Sequence, residues 1–225
     1  MIRIFIGYDS QLPVLYNVLQ HSIHMRSSKP VSVTPIILSQ LKGIYYRERD
    51  PLASTEFSFS RFLVPFLSNY EGWSLFIDND ILALDDVSEL WELKDDRFAL
   101  MCTKHKHNPT AEKKFLNTVQ TKYEKKNWSS CMLFNNSKCR ALTPDYVNSA
   151  SGLELHQFKW LESDALIGEI PLNWNYLVGC DSHSENVSFV HYTLGGPYFN
   201  EFGNVEYSAE WFLERDDMLR CLQRL

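Results

Sequence analysis

The first apolar block, Ile2-Arg3-Ile4-Phe5-Ile6, stops at Gly7-Tyr8-Asp9-Ser10 and reads as a buried strand. Beyond it the spacing changes. Leu12, Leu15, Tyr16, Leu19 and Ile23 recur at helical intervals, with Pro13 where a first helical turn tolerates it. Val31 to Leu38 alternates and then turns apolar, a second strand. Strand, helix and strand at this length make a βαβ unit, which predicts a parallel sheet with a right-handed crossover. Between residues 53 and 70, Phe59, Phe62, Leu63, Phe66 and Leu67 mark a further helix that carries Arg61, with a kink or break expected at Pro65.

A third strand follows at Trp73-Ser74-Leu75-Phe76-Ile77 and runs into Asp78-Asn79-Asp80. If its pleat persists, Asp78 and Asp80 share one face and Asn79 takes the other. Residues 85–91 suit a short helix with an acidic start, Phe98 to Cys102 a strand, and Trp128 to Phe134 another strand. Residues 141–160 read as a helical connection broken near Gly152, and residues 161–168 as acidic groups leading into an apolar helix. Pro171-Leu172-Asn173-Trp174-Asn175 is a polar–aromatic loop. Phe189 to Thr193 is a short strand that enters Leu194-Gly195-Gly196-Pro197, and a helix closes the chain within 205–225. The order of elements predicts an α/β fold, one domain over 1–225, with a mostly parallel central sheet flanked by helices. The abrupt apolar tail leads us to expect a partner or a further module beyond it.

Composition narrows this picture modestly. Across 225 residues, 44% are hydrophobic and 22% charged, the balance of a globular domain rather than a disordered chain. A net charge of −6 argues against general nucleic-acid binding, which works by neutralising phosphates. No run of about 20 apolar residues is present to span a membrane. Five cysteines without a C-x-x-C pair fit a reducing compartment better than a disulfide framework, so the cytosol, with peripheral membrane contact allowed, is the expected location. The segment from Lys104 to Lys126 is rich in lysine and also holds His105 and His107. Such a run is commonly a solvated face, and here it is also a candidate electropositive wall for an anionic substrate.

The candidate chemistry lies at strand ends. Two carboxylates converging there offer hard oxygen ligands suited to Mg²⁺ or Mn²⁺ bound together with substrate phosphates. His191 offers an imidazole, and the glycines after it allow a close backbone approach. Gly7-Tyr8-Asp9 ends the first strand, where open α/β sheets bind nucleotides. The bland alternatives are a polar turn after a core strand and a structural histidine. Two functional alternatives remain at this level. A haloacid-dehalogenase-like phosphatase also uses Asp-x-Asp, but on its first core strand, whereas here a βαβ unit comes first. A non-catalytic sugar-binding module would use the 14% of aromatic residues as stacking surfaces.

Taken in order, Phe5-Ile6-Gly7-Tyr8-Asp9, Ser60-Arg61-Phe62, Phe76-Ile77-Asp78-Asn79-Asp80, Trp128-Ser129-Ser130, Glu162-Ser163-Asp164 and His191-Tyr192-Thr193 resemble the GT-A fold glycosyltransferases, close to family 8 and to the shorter enzymes of bacteria and large algal viruses. The resemblance covers about residues 1–200. It implies a UDP-sugar donor, a glycan or glycoconjugate acceptor, retention of configuration, and Mn²⁺ or Mg²⁺ held by Asp78, Asp80 and His191. Gly7, Tyr8 and Asp9 would hold the nucleoside, with Tyr8 stacking on the base. Asn79 belongs to the donor-binding stretch, and Arg61 with the Gly195-Gly196 backbone would face the diphosphate. Ser129, Ser130 and Asp164 would face the donor sugar and reacting centre, and Ser163 stands where the family has a debated nucleophile. The chain departs from the family pattern in two places. Pro197-Tyr198-Phe199 replaces the usual diphosphate-gripping lysine, and Ser129-Ser130-Cys131 replaces Asn-Ala-Gly.

Overall fold

The computed structural model describes residues 1–50, 53–105 and 124–220. The chain begins with β1 (Ile2–Gly7), crosses through α1 (Pro13–Arg26) and returns as β2 (Val31–Ile36), parallel to β1 from Ile2↔Val31 onwards. The second strand is thus shorter than its apolar run, because Leu38–Gln40 leaves it as a 3₁₀ turn. The helix expected over 53–70 is largely absent. Ser60–Leu63 forms a 3₁₀ turn and α2 is only Val64–Leu67, with Pro65 in its first turn, where a missing N–H costs nothing.

Then come β3 (Trp73–Ile77), an unforeseen β4 (Ile81–Ala83), α3 (Val87–Glu92) and β5 (Leu100–Cys102). The strand expected from Trp128 begins at β6 (Cys131–Asn135), since Trp128–Ser130 is a 3₁₀ turn entered through Asn127 at φ 63°. Two short helices, α4 (Pro144–Ser149) and α5 (Gly152–His156), make the next connection. The break falls one residue before Gly152, where Ser151 and Glu154 form a capping box. The apolar helix expected near 161–168 is instead a 3₁₀ turn followed by β7 (Ile167–Glu169), parallel to β5. Gly168 permits that pairing, because a Cβ there would lie 2.6 Å from the Phe98 ring. The remaining elements are β8 (Tyr176–Leu177), β9 (Phe189–His191) and α6 (Ser208–Arg220).

Six strands form the main sheet in the order β2-β1-β3-β6-β5-β7, with β6 antiparallel to its neighbours. Alternation along the strands sorts side chains onto two cores. Phe5, Phe76, Met132 and Phe134 face one cluster, while Ile4, Ile6, Leu75, Ile77 and Leu133 face the other. A smaller sheet, β4-β9-β8, packs on a third cluster with Leu82, Tyr176, Val190, Tyr192 and Trp211 of α6. Helix α1 joins the two regions. Tyr16, Leu19 and Ile23 serve the main sheet, and Leu15 and Val18 serve the small one. Glu214 of α6 is buried and paired with His21 and Arg26 of α1, which clamps the C-terminal helix in place. No helix among the described residues is long and apolar enough to cross a membrane.

Candidate active site

A cavity of about 460 Å³ opens at the carboxyl ends of β1 and β3. Its wall is built from the turns that leave these strands, the turn that enters β6, the segment around Phe59, α5, and the exit of β9. The main strand pattern ends at Ile77, yet the Asp78 amide still donates to the Ser130 carbonyl at 2.8 Å. Asn79 and Asp80 then form a turn, so the expected alternation does not hold, and Asp78, Asn79 and Asp80 all line the cavity. The acidic pair therefore meets through a turn rather than through a pleat.

The unforeseen β4 explains how His191 reaches this pair. Ile81 pairs with His191 across β4 and β9, and the Tyr192 amide donates to the Asp80 carbonyl at 3.0 Å. This register brings His191 Nε2 to 3.4 Å from Asp80 Oδ1. One ligand atom from each of Asp78, Asp80 and His191 falls within 4.8 Å of the others, the only such grouping of three or more ligating side chains among the described residues. On the opposite side, His191 Nδ1 lies 2.9 Å from Asn175 Oδ1.

Arg61 closes the site from below. Its Nη1 donates to the Ser129 carbonyl at 2.9 Å and pairs with Asp78 Oδ1 at 2.7 Å. The guanidinium carbon sits 5.2 Å and 5.1 Å from the ring centroids of Phe57 and Phe76, so aromatic faces hold a buried cation. Burial pushes the Asp78 carboxyl up to about 6, with Asp80 adding to the rise and Arg61 opposing it. Burial would also raise Asp80, but the charge and hydrogen bond of His191 outweigh it and hold that carboxyl low. Burial disfavours charge on His191 too, yet Asp80 and Asp78 together raise its pKa. With the imidazole neutral, two carboxylates against one guanidinium leave negative charge at the cavity floor, and the donor set of two oxygens and one imidazole nitrogen fits a divalent cation. The Asn79 amide adds, at the same wall, a buried Nδ2 with no hydrogen-bond partner among the described residues, a donor that a bound anion would satisfy.

The other residues singled out in the sequence divide into two groups. Asp9, Arg61, Ser129, Ser130 and Gly195 line the cavity. Asp9 accepts from the Gln11 amide at 3.0 Å and the Glu56 amide at 3.3 Å, which fixes the rim at 55–58. Gly7, Tyr8, Ser163, Asp164 and Gly196 are not part of the wall formed by the described residues. Gly7 is bare because the Phe57 ring covers it, 2.2 Å from where a Cβ would stand. Tyr8 packs edge-on against Tyr16, with ring centroids 5.7 Å apart. The Ser163 hydroxyl caps a 3₁₀ turn by accepting from Ala165, and Asp164 is an exposed partner of Lys125 at 2.5 Å. The Gly195 amide already donates to the Tyr192 carbonyl at 2.8 Å, and its φ of 126° beneath the Phe202 ring accounts for the glycine. Of the lysine-rich segment, residues 106–123 lie outside the described residues. Lys104 donates to the Ile167 carbonyl at 2.9 Å and does not line the cavity.

Sequence reasoning missed His156, whose Nδ1 lies 2.8 Å from Ser129 Oγ, and the aromatic wall of Tyr192, Tyr198 and Phe199. Tyr198 and Phe199 occupy the stretch where a lysine was expected. His156 ends a five-residue helix and carries no local sequence signal for a site.

No protein-family model matches the chain. Protein CDI of Arabidopsis thaliana is 47% identical over 224 residues, an alignment spanning 96% of this chain and 86% of that protein. Among solved structures, the WbbM bifunctional glycosyltransferase superposes with a TM-score of 0.65 at 13% identity, covering 95% of this chain and 49% of WbbM. The glycosyltransferase GlyE of Streptococcus pneumoniae gives 0.63 at 14% identity over 96% of this chain and 60% of its own. The galactosyltransferase LgtC, solved with donor and acceptor sugar analogs, gives 0.58 at 11% identity over 96% of both chains. The chain thus spans about half of WbbM and three fifths of GlyE. Likeness at such low identity establishes architecture, here the GT-A glycosyltransferase fold, and not an activity. The identity to the plant protein goes further: this chain belongs to the family of Protein CDI, built on a GT-A glycosyltransferase fold.

Proposed function

We propose that this protein is a glycosyltransferase that moves a sugar from a UDP-sugar to a hydroxyl of a glycan or glycoconjugate, using Mn²⁺ or Mg²⁺ held by Asp78, Asp80 and His191. The observation that carries the reading is the meeting of those three side chains, beside a buried arginine, at the strand ends of a GT-A fold. A divalent cation held there stabilises the negative charge that develops on a departing nucleoside diphosphate. The residues of the chain do the rest. Arg61 anchors Asp78 and keeps the ligand carboxylate aimed at the cavity. Asn79 offers a phosphate or ribose oxygen an amide donor that no described residue takes up. Ser129, Ser130 and His156 form the polar wall toward the sugar, while Tyr192, Tyr198 and Phe199 exclude water from the opposite side. Retention of configuration is the outcome implied by the family resemblance, with the acceptor proton passing to the departing diphosphate on the same face. The whole reaction is assigned to one domain over residues 1–225.

Turnover of a panel of UDP-sugars, followed by UDP release with Mn²⁺ and again after chelation, tests this reading. At least one donor should be consumed, and EDTA should stop it. A panel with no turnover, or turnover indifferent to chelation, would overturn the proposal. Phosphate release from an aryl phosphate would point to the phosphatase alternative instead.

A further inference from the structure

Asn175 is fully buried in the turn before β8, in the polar–aromatic loop to which the reaction assigns no role. Its surroundings fix the amide in one orientation. Nδ2 donates to Ser130 Oγ at 2.8 Å and to the Asn127 carbonyl at 3.3 Å. The Ser130 hydroxyl gives its own hydrogen to that same carbonyl at 2.7 Å, so its oxygen is an acceptor toward Asn175. A flipped amide would set its oxygen against the Asn127 carbonyl, and it could keep the Ser130 contact only if that hydroxyl gave up its own bond to the same carbonyl. Oδ1 must therefore face His191, and the contact at 2.9 Å requires a hydrogen on Nδ1.

We propose that Asn175 is the positioning residue that sets the tautomer of His191, keeping Nδ1 protonated so that the Nε2 lone pair faces Asp78 and Asp80. The inference rests on the metal-site reading above and deepens it. An imidazole that ligates through Nε2 needs its hydrogen on the other nitrogen, and a fixed acceptor behind the ring favours that tautomer against the pull of Asp80 on Nε2. The hydrogen-bonded chain runs from the turn entering β6, through Asn175, to the imidazole on β9. It ties the histidine of the small sheet to the entry of an interior strand of the large one.

Two variants separate positioning from simple packing. Asn175→Leu removes the acceptor at similar volume. Asn175→Asp keeps an acceptor for Nδ1–H, and the Ser130 hydroxyl can turn to donate to it. Mn²⁺ binding is followed by the electron paramagnetic resonance signal of free Mn²⁺ with saturating UDP, and near-UV circular dichroism reports folding. The expected result is a loss of Mn²⁺ affinity of about 10- to 100-fold in Asn175→Leu, with most affinity restored in Asn175→Asp. Long-range ¹H–¹⁵N NMR of the wild type, at a pH where the ring is neutral, should show the hydrogen on Nδ1. A folded Asn175→Leu protein that binds Mn²⁺ like the wild type would overturn the proposal. So would an Asn175→Asp protein as weak as Asn175→Leu, or a hydrogen found on Nε2. If the wild type binds no Mn²⁺ with UDP, the metal-site reading fails, while the NMR tautomer still decides the role of Asn175.

Discussion

The two sheets of this protein hold opposite poles of one site and are built by different rules. The six-stranded sheet is buried on both faces through its central strands, and it delivers Asp78 at the end of β3. The three-stranded sheet is made of strands only two or three residues long, and it delivers His191 beside Asp80 through the pairing of β4 with β9. The large sheet packs against the two larger apolar clusters, and the small sheet against the third. The small one supplies register. Damage to the first should unfold the protein, whereas damage to the second should leave a folded protein with a disassembled site.

The largest effect should come from the large sheet. Phe76 is wholly buried against both the Phe57 ring and the Arg61 guanidinium, so Phe76→Ala should cost about 3–5 kcal/mol in urea unfolding. His191→Ala should reverse the pattern. Mn²⁺-dependent UDP release should fall roughly 10²–10³-fold, with an unfolding midpoint that moves far less than that of Phe76→Ala.

A smaller effect sharpens the comparison where the small sheet leaves β4. Asp86 caps α3, and burial would raise its carboxyl, but hydrogen bonds from Ser28 and Ser88 win and hold it at about 2. A carboxyl lowered in the folded state stabilises fully above its unfolded value near pH 4 and loses that contribution as pH falls toward about 2. Asp86→Ala should therefore cost about 1 kcal/mol at neutral pH, and the gap to the wild type should close across that acid window in pH-dependent unfolding. Smallest of all is Asp164→Asn at the exposed pair with Lys125, which should change stability by no more than about 0.5 kcal/mol in the same assay.

The same contrast explains what could be read in advance. The βαβ start and the Asp-x-Asp strand end were visible because long apolar runs with clear periods declare themselves. β4 was not, since Ile81-Leu82-Ala83 looks like a continuation of the preceding strand, and only its pairing with β9 reveals a turn at Asn79-Asp80. Without β4, the nearness of His191 to the acidic pair rested on family resemblance, although it depends on one strand register. The apolar run near Ile167 suits a helix as readily as a strand, because four or five apolar residues carry no usable period, and the free edge of β5 makes it a strand. Asp164 and Ser163 matched a motif by order along the chain, but order does not say which way a side chain points. His156 and Asn175 gave no local signal, because their importance lies in partners 27 and 16 residues away.

Diffraction from crystals grown with Mn²⁺ and UDP, collected at the manganese absorption edge, addresses the junction of the two sheets directly. One anomalous peak should appear in coordination contact with Asp78, Asp80 and His191 and touching the diphosphate. A bound nucleotide with no peak there, or a peak coordinated by other side chains, would contradict it.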